Sequence, residues 1–116
     1  MIFIIWILKR LSMNFKIISH RGCTNGPNKK KENKPDEIEN TINLGFDVEV
    51  DVWVTDKIYL GHDYPQYKIN KDFFNNKMWI HCKNIAAVEY MKNTNLNWFW
   101  HNNDKLTITS HGHIWC

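Results

Sequence analysis

Cysteine is scarce in this chain: there are three, Cys23, Cys82 and Cys116. They are odd in number, far apart, and form no C-x-x-C pair. That excludes a disulfide framework and points to a reducing compartment, the cytoplasm. The closing segment His111-Gly-His113-Ile-Trp-Cys116 superficially has metal-ligand spacing but lacks the second ligand pair of a zinc finger, so it reads as structural or accidental. Long apolar runs are missing too. Met1 to Leu8 is apolar, but a helical membrane span needs about 20 such residues. No basic segment leads it and no small-residue cleavage site follows it, so it is not a secretory signal. A stable membrane span is excluded. Charge of one sign is equally limited. Fifteen basic and twelve acidic side chains leave a net charge of +3. Much of the excess sits in Lys29-Lys30-Lys31 and Lys34, a loop-like cluster. A nucleic-acid partner would need a broader basic face with placed aromatics, and none is expected. There is no internal repeat and no low-complexity linker.

What remains is enough for one modest domain. The 116 residues are 43% hydrophobic and 23% charged, a globular balance. Residues 1–12 read as an apolar N-terminal extension and residues 13–116 as the folded unit, with Met13 the expected start, because a strand pattern begins at Phe15. Six tryptophans is many for this length. Trp53, Trp79, Trp98, Trp100 and Trp115 lie in strand-like runs and read mainly as packing residues.

The chain is organised around Gly45-Phe-Asp-Val-Glu-Val-Asp-Val-Trp53. With the two-residue period of a strand, Asp47, Glu49 and Asp51 share one face and Val48, Val50 and Val52 the other. Same-face neighbours lie about 6.6 Å apart, close enough for Glu49 and Asp51 to share one cation. Taken alone, the pattern fits equally well a solvated polar face on a half-buried strand. Two flanking runs add to it. Phe15-Lys-Ile-Ile-Ser19 ends directly in His20-Arg21-Gly22, and Ile58-Tyr-Leu60 ends in Gly61-His62-Asp63. Three short strands thus deliver titratable residues at or near their C-terminal ends, where parallel α/β sheets and barrels build their sites.

Between these strands the pattern predicts a long loop from Cys23 to Lys34 with a Gly26-Pro27 turn, then a short helix. Pro35 suits its first turn, Asp36 and Glu37 its positive end, and Gly45 its left-handed exit. Ile38 and Ile42 give it one buried face. Further on, Tyr64 to Tyr67 reads as loop, Asp72 to Asn76 as one helical turn, and residues 77–83 as a strand placing Trp79, His81 and Lys83 on one face. A helix over Ile85 to Met91 and strands over 98–101, 106–109 and 113–115 complete the chain. Strands alternating with short helices argue for an α/β fold.

In order and approximate spacing, His20-Arg21-Gly22, Glu32-Asn33 before Pro35, the acidic strand, His62-Asp63 and Ile80-His-Cys-Lys83 resemble the glycerophosphodiester phosphodiesterase family of the phospholipase C-like phosphodiesterase superfamily. Glu39-Asn40-Thr41 spells the family's Glu-Asn-Thr literally. It lies inside the predicted helix, too close to the acidic strand, so Glu32-Asn33 is the expected counterpart.

The resemblance implies a TIM-type (β/α) barrel and metal-dependent cleavage of a small phosphodiester. It implies His20 and His62 as the catalytic pair, one activating the nucleophile and the other protonating the leaving alkoxide. Arg21 and Lys83 would face the phosphate. Glu49 and Asp51, with His81, would hold a divalent cation, Mg²⁺ or Ca²⁺, and Glu32, Asn33 and Asp63 would support the site. The chemistry is consistent: hard cations take carboxylate oxygens, and imidazoles exchange protons near neutrality. Two departures stand out. His81 occupies the place of a family glutamate and suits Zn or Mn better than Mg or Ca. And such a barrel usually takes about 250 residues, so the expectation is a reduced or C-terminally truncated one. A relative that binds metal or a phosphorylated ligand without turnover is the alternative.

Overall fold

The computed structural model describes residues 2–9, 12–23, 26 and 28–115, with residues 2–9 and 12–16 as backbone. Met1, Pro27 and Cys116, which enter the expected extension, turn and closing segment, lie outside the described residues.

The strands are β1 (Ile2–Lys9), β2 (Ser12–His20), β3 (Asp47–Val54), β4 (Ile58–Leu60), β5 (Tyr67–Ile69), β6 (Met78–Cys82), β7 (Asn97–Phe99), β8 (Thr107–Ile108) and β9 (Ile114–Trp115). The helices are α1 (Pro35–Asn43) and α2 (Ile85–Met91), with a 3-10 turn at Lys71–Phe73. The acidic strand forms where the alternation places it, and both helices keep their expected spans. Tyr67, expected as the end of a loop, instead begins a strand that runs to Ile69 and pairs with β4. Residues 2–9, expected as an extension, form a strand antiparallel to β2 in the same sheet.

Strands β2, β3, β6 and β7 run parallel and adjacent in that order. α1 links β2 to β3, and α2 links β6 to β7. The β3–β6 connection carries the antiparallel hairpin β4–β5. This gives one mixed sheet of seven strands, with β8 and β9 as a separate pair. The expected TIM-type barrel, reduced or truncated, is not what the chain forms. A (β/α) barrel repeats strand and helix around a closed ring, whereas among the described residues two α-helices accompany these strands and three of the seven strands are antiparallel additions. The outer edge of β7 is taken up by a serine. Ser110 N–H donates to the Trp98 carbonyl at 2.7 Å and its hydroxyl donates to the Leu96 carbonyl at 2.9 Å, while Trp98 N–H donates to that hydroxyl at 2.8 Å.

The decisive feature is how β3 divides its edges. One edge is occupied by β6 from Val48 to Val52. The other is shared: β2 pairs with Asp47–Glu49, and β4 pairs with Val52–Val54 from the opposite direction. The ends of β2 and β4 therefore meet head-on beside the middle of β3. Arg21 N–H donates to the Glu49 carbonyl at 2.9 Å and Gly61 N–H to the Asp51 carbonyl at 3.1 Å, closing the ladder from both sides.

The two sheet faces differ in character. Val48, Val50 and Val52 pack with Ile38 of α1, Ala87 and Met91 of α2, and Leu60, Met78, Ile80 and Cys82 into the main core. Ile18, Trp79, Phe99 and Trp115 form a second cluster on the other face, beside the acidic row. Of the tryptophans, Trp79 and Trp115 are buried, whereas Trp100 is exposed. Each helix is tied to the sheet by a polar side chain. Thr41 of α1 donates its hydroxyl to the Gly22 carbonyl at 3.0 Å. Asn84 accepts from Ala87 N–H at the start of α2 while donating to the Val54 carbonyl at 2.8 Å. Among the described residues no helix is long and apolar enough to cross a membrane.

Candidate active site

The meeting of β2 and β4 on β3 gathers the residues singled out from the sequence. Asp51 lies at the centre and is fully buried. Its Oδ2 accepts from Asn33 Nδ2 at 2.8 Å and lies 3.2 Å from Arg21 Nε; its Oδ1 faces His81 Nδ1 at 3.0 Å. Asp51 N–H in turn donates to Asn33 Oδ1 at 2.9 Å. The Arg21 guanidinium also donates from Nη1 to Glu32 Oε2 at 3.0 Å. The Glu32-Asn33 pair is thus the one that reaches the acidic strand, whereas Thr41 of the literal motif serves α1.

Burial alone would push the Asp51 carboxyl up, but hydrogen bonds from His81 and Asn33 and the charge of Arg21 outweigh it and hold the group below its ordinary value. Glu49, one pleat earlier on the same face, goes the other way. It is 4% exposed, and among the described residues its Oε1 has no hydrogen-bond partner. Burial, and then the Asp51 carboxylate, push it well above the ordinary carboxylate range. Its other oxygen lies 3.6 Å from His20 Nε2. Burial, and then the Arg21 guanidinium, lower the His20 imidazole to about 4. The ionic form of this pair is disfavoured on both sides, so a proton between them rests on Glu49.

His62 approaches from the β4 side and is close enough for its charge to add to the lowering of His20. Its Nδ1 lies 2.8 Å from Asp63 Oδ1. A carboxylate there fixes Nδ1 as the protonated nitrogen and leaves Nε2 to exchange protons. The side chain is one-third exposed, against 17% for His20. Lys83 continues from β6, with its N–H bonded to the Val52 carbonyl at 2.8 Å. Its charge acts on both Glu49 and His101.

Three contributors were not singled out in the sequence as site residues. His101, just beyond β7, stacks on His81 with ring centroids 4.7 Å apart and planes at 7°. It ends a strand-like run in the sequence, 98–101, as His20 ends β2, and that signal could have found it. Trp53 donates Nε1–H to the Gly61 carbonyl at 2.7 Å, pinning the turn that carries His62. It shares the face of Glu49 and Asp51 by period two. Asp47 accepts from Trp79 Nε1 at 3.0 Å, so the first acid of the row serves packing.

A divalent cation at this cluster would need carboxylate and imidazole atoms that are not already engaged. Glu49 offers an unpartnered buried oxygen, the kind of atom a cation relieves. Asp51 and His81 do not offer theirs: they face each other, and Asn33 and Arg21 hold the second Asp51 oxygen. Among the described residues no group of three or more His, Cys, Asp or Glu side chains gathers into a coordination set. The trio Glu49, Asp51 and His81 does not fit a cation in this arrangement.

No family model, curated protein or solved structure matches this chain.

Proposed function

We propose that the strand-end cluster hydrolyses a small phosphodiester, with His20 and His62 as the proton-transfer pair. The observation that carries this reading is the head-on meeting of β2 and β4, which brings two imidazoles with different surroundings within electrostatic reach of each other, His20 beside Arg21 and His62 beside Asp63. Groups whose environments differ in this way are suited to opposite acid–base roles.

His20 is the more buried and stays neutral, so it accepts the proton of the attacking hydroxyl, from water or from the substrate's own alcohol. The new P–O bond forms as the ester P–O bond on the far side breaks. His62, held at Nδ1 by Asp63, passes a proton to the departing alkoxide. Arg21 and Lys83 hold the phosphate and offset the charge that develops on its oxygens. No step is routed through a cation. The resemblance to glycerophosphodiester phosphodiesterases supports a glycerophosphodiester-like substrate. The free buried thiol of Cys82 supports a reducing, cytoplasmic setting.

The test is hydrolysis of bis(p-nitrophenyl) phosphate and of a glycerophosphodiester by the full chain and by His20→Ala and His62→Ala. Turnover should be lost in both variants while their melts stay cooperative. Activity retained in both would end the assignment. Binding of the diester by the unaltered chain without product would make the cluster a phosphate-binding site instead.

A further inference from the structure

Asn33 and Arg21 share an uncommon backbone conformation. Among the described residues they are the two non-glycine positions with positive φ, +59° and +55°. Left-handed backbone is disfavoured for side chains with a Cβ, asparagine being among the most tolerant and arginine not. Such outliers persist where surrounding contacts over-determine them. Here one bond joins the two residues and a second ties them to β3: Asn33 N–H donates to the Arg21 carbonyl at 2.9 Å, and Arg21 N–H donates to the Glu49 carbonyl at 2.9 Å.

A second link runs through side chains. The Asn33 amide, fully buried, grips Asp51 from both sides, donating to Oδ2 and accepting from the backbone N–H. Asp51 Oδ2 then lies 3.2 Å from Arg21 Nε, and Glu32, the residue before Asn33, takes Nη1 at 3.0 Å. The Glu32-Asn33 segment therefore holds the Arg21 backbone, hydrogen-bonds Nη1 through Glu32 and sets the Asp51 ion-pair contact of Nε, which among the described residues is buried without a hydrogen bond of its own. Among the described residues no hydrogen bond or ion pair engages the third guanidinium nitrogen, Nη2.

We infer that Asn33 is a positioning residue that aims the Nη2 edge of Arg21 at the phosphate by fixing Asp51 and the Arg21 carbonyl together. Its catalytic consequence rests on the phosphodiester reading; its structural consequence does not. Replacing Asn33 by alanine would mix strain with loss of the amide. Asn33→Gly keeps the left-handed backbone and its N–H but removes the grip on Asp51. Asn33→Asp keeps size, backbone tolerance and the acceptor for Asp51 N–H, but sets a carboxylate against Asp51 Oδ2 until one of the two is protonated.

The experiment follows the Arg21 Nε–Hε resonance, assigned with Arg21→Lys, in the full chain and in both variants, with inorganic phosphate titrated in. Turnover is measured on the same samples. In the unaltered chain the resonance should be protected from solvent exchange and should move with phosphate. In Asn33→Gly that protection should be lost and kcat/KM should fall about 10- to 100-fold. In Asn33→Asp, protection and turnover relative to the unaltered chain should recover as pH falls, a profile that a merely structural residue would not give. An unchanged Arg21 resonance in Asn33→Gly, or no recovery in Asn33→Asp at low pH, would overturn the inference. Should Asn33→Gly not fold, the Asn33→Asp profile decides. Should the unaltered chain neither respond to phosphate nor turn over, the phosphodiester reading fails, and the protection of Arg21 across the variants alone decides the role of Asn33.

Discussion

His81 and Asp51 stand opposite each other in register on β6 and β3, and their side chains meet at 3.0 Å between Nδ1 and Oδ1. The imidazole occupies a place where a carboxylate would face a fully buried carboxylate. His81→Ala should remove one of the bonds that hold Asp51 ionised and destabilise the chain by about 2 kcal/mol at pH 7. His81→Glu should be worse, by about 3 kcal/mol, and millimolar Mg²⁺ or Ca²⁺ should return part of that loss by bridging the two carboxylates. Urea melts with and without cation measure both. His81→Glu melting like the unaltered chain would mean that Asp51 is not held in the described pair.

The pair His20 and Glu49 predicts opposing pH slopes. The His20 imidazole sits at about 4 in the folded chain against an ordinary 6.5. The unfolded chain binds the extra proton in between, so the stability this group brings is complete above pH 6.5 and is lost as pH falls toward 4. That contribution is at most about 3 kcal/mol. Glu49 is raised, so its contribution is complete below its ordinary 4.5 and is lost as pH rises through its folded value. In Glu49→Gln, stability should climb with pH between 4 and 6.5 more steeply than in the unaltered chain. In His20→Asn it should fall with rising pH. Melts across that range with three parallel curves would count against the shared proton.

Gly61 carries the turn that delivers His62. Its φ of +158° is rarely adopted by L side chains, and an added Cβ would collide with the Tyr64 carbonyl oxygen and crowd Gln66. Gly61→Ala should destabilise by about 2–4 kcal/mol. It should also lower turnover beyond what the stability loss explains, because the ladder bond to Asp51 and the Trp53 contact both use this residue. Activity assayed well below the melting temperature separates the two effects.

Cys82 lies on β6 in the main core, and burial pushes its thiol up to about 12. A thiol so held is almost wholly protonated at pH 8 and shielded from reagents. Alkylation at pH 8 should label Cys82 only as the chain unfolds, at the rate of global opening. Rapid labelling under native conditions would place β6 outside the stable core.

The local elements were largely legible. Period-two alternation marked β3, Pro35 and Gly45 bracketed α1, and each titratable pair was found by asking what a strand end delivers. The closure of the sheet was not. Strand alternation with short helices looks the same in a barrel and in an open sheet, because the difference lies in which strand edge is already occupied. Here β4 takes the part of the β3 edge that lies beyond β2, which no residue type announces. Strand β5 escaped because Pro65 and the polar residues around it read as loop, although Tyr67 and Ile69 pair with β4. That the donors of the expected cation trio are occupied in this arrangement was hidden for a related reason. Spacing places Glu49 and Asp51 on one face, but only the folded chain shows Asp51 already held by Asn33, Arg21 and His81.

A strand with an open edge is a template on which further chains can stack without limit. On β7 the three groups such a newcomer would need, the Leu96 carbonyl and both backbone groups of Trp98, are all spoken for by Ser110. One residue thereby acts as a terminator for lateral growth at that border. It mimics a neighbouring backbone with its own amide and a hydroxyl that both gives and receives, and it offers no next edge in turn.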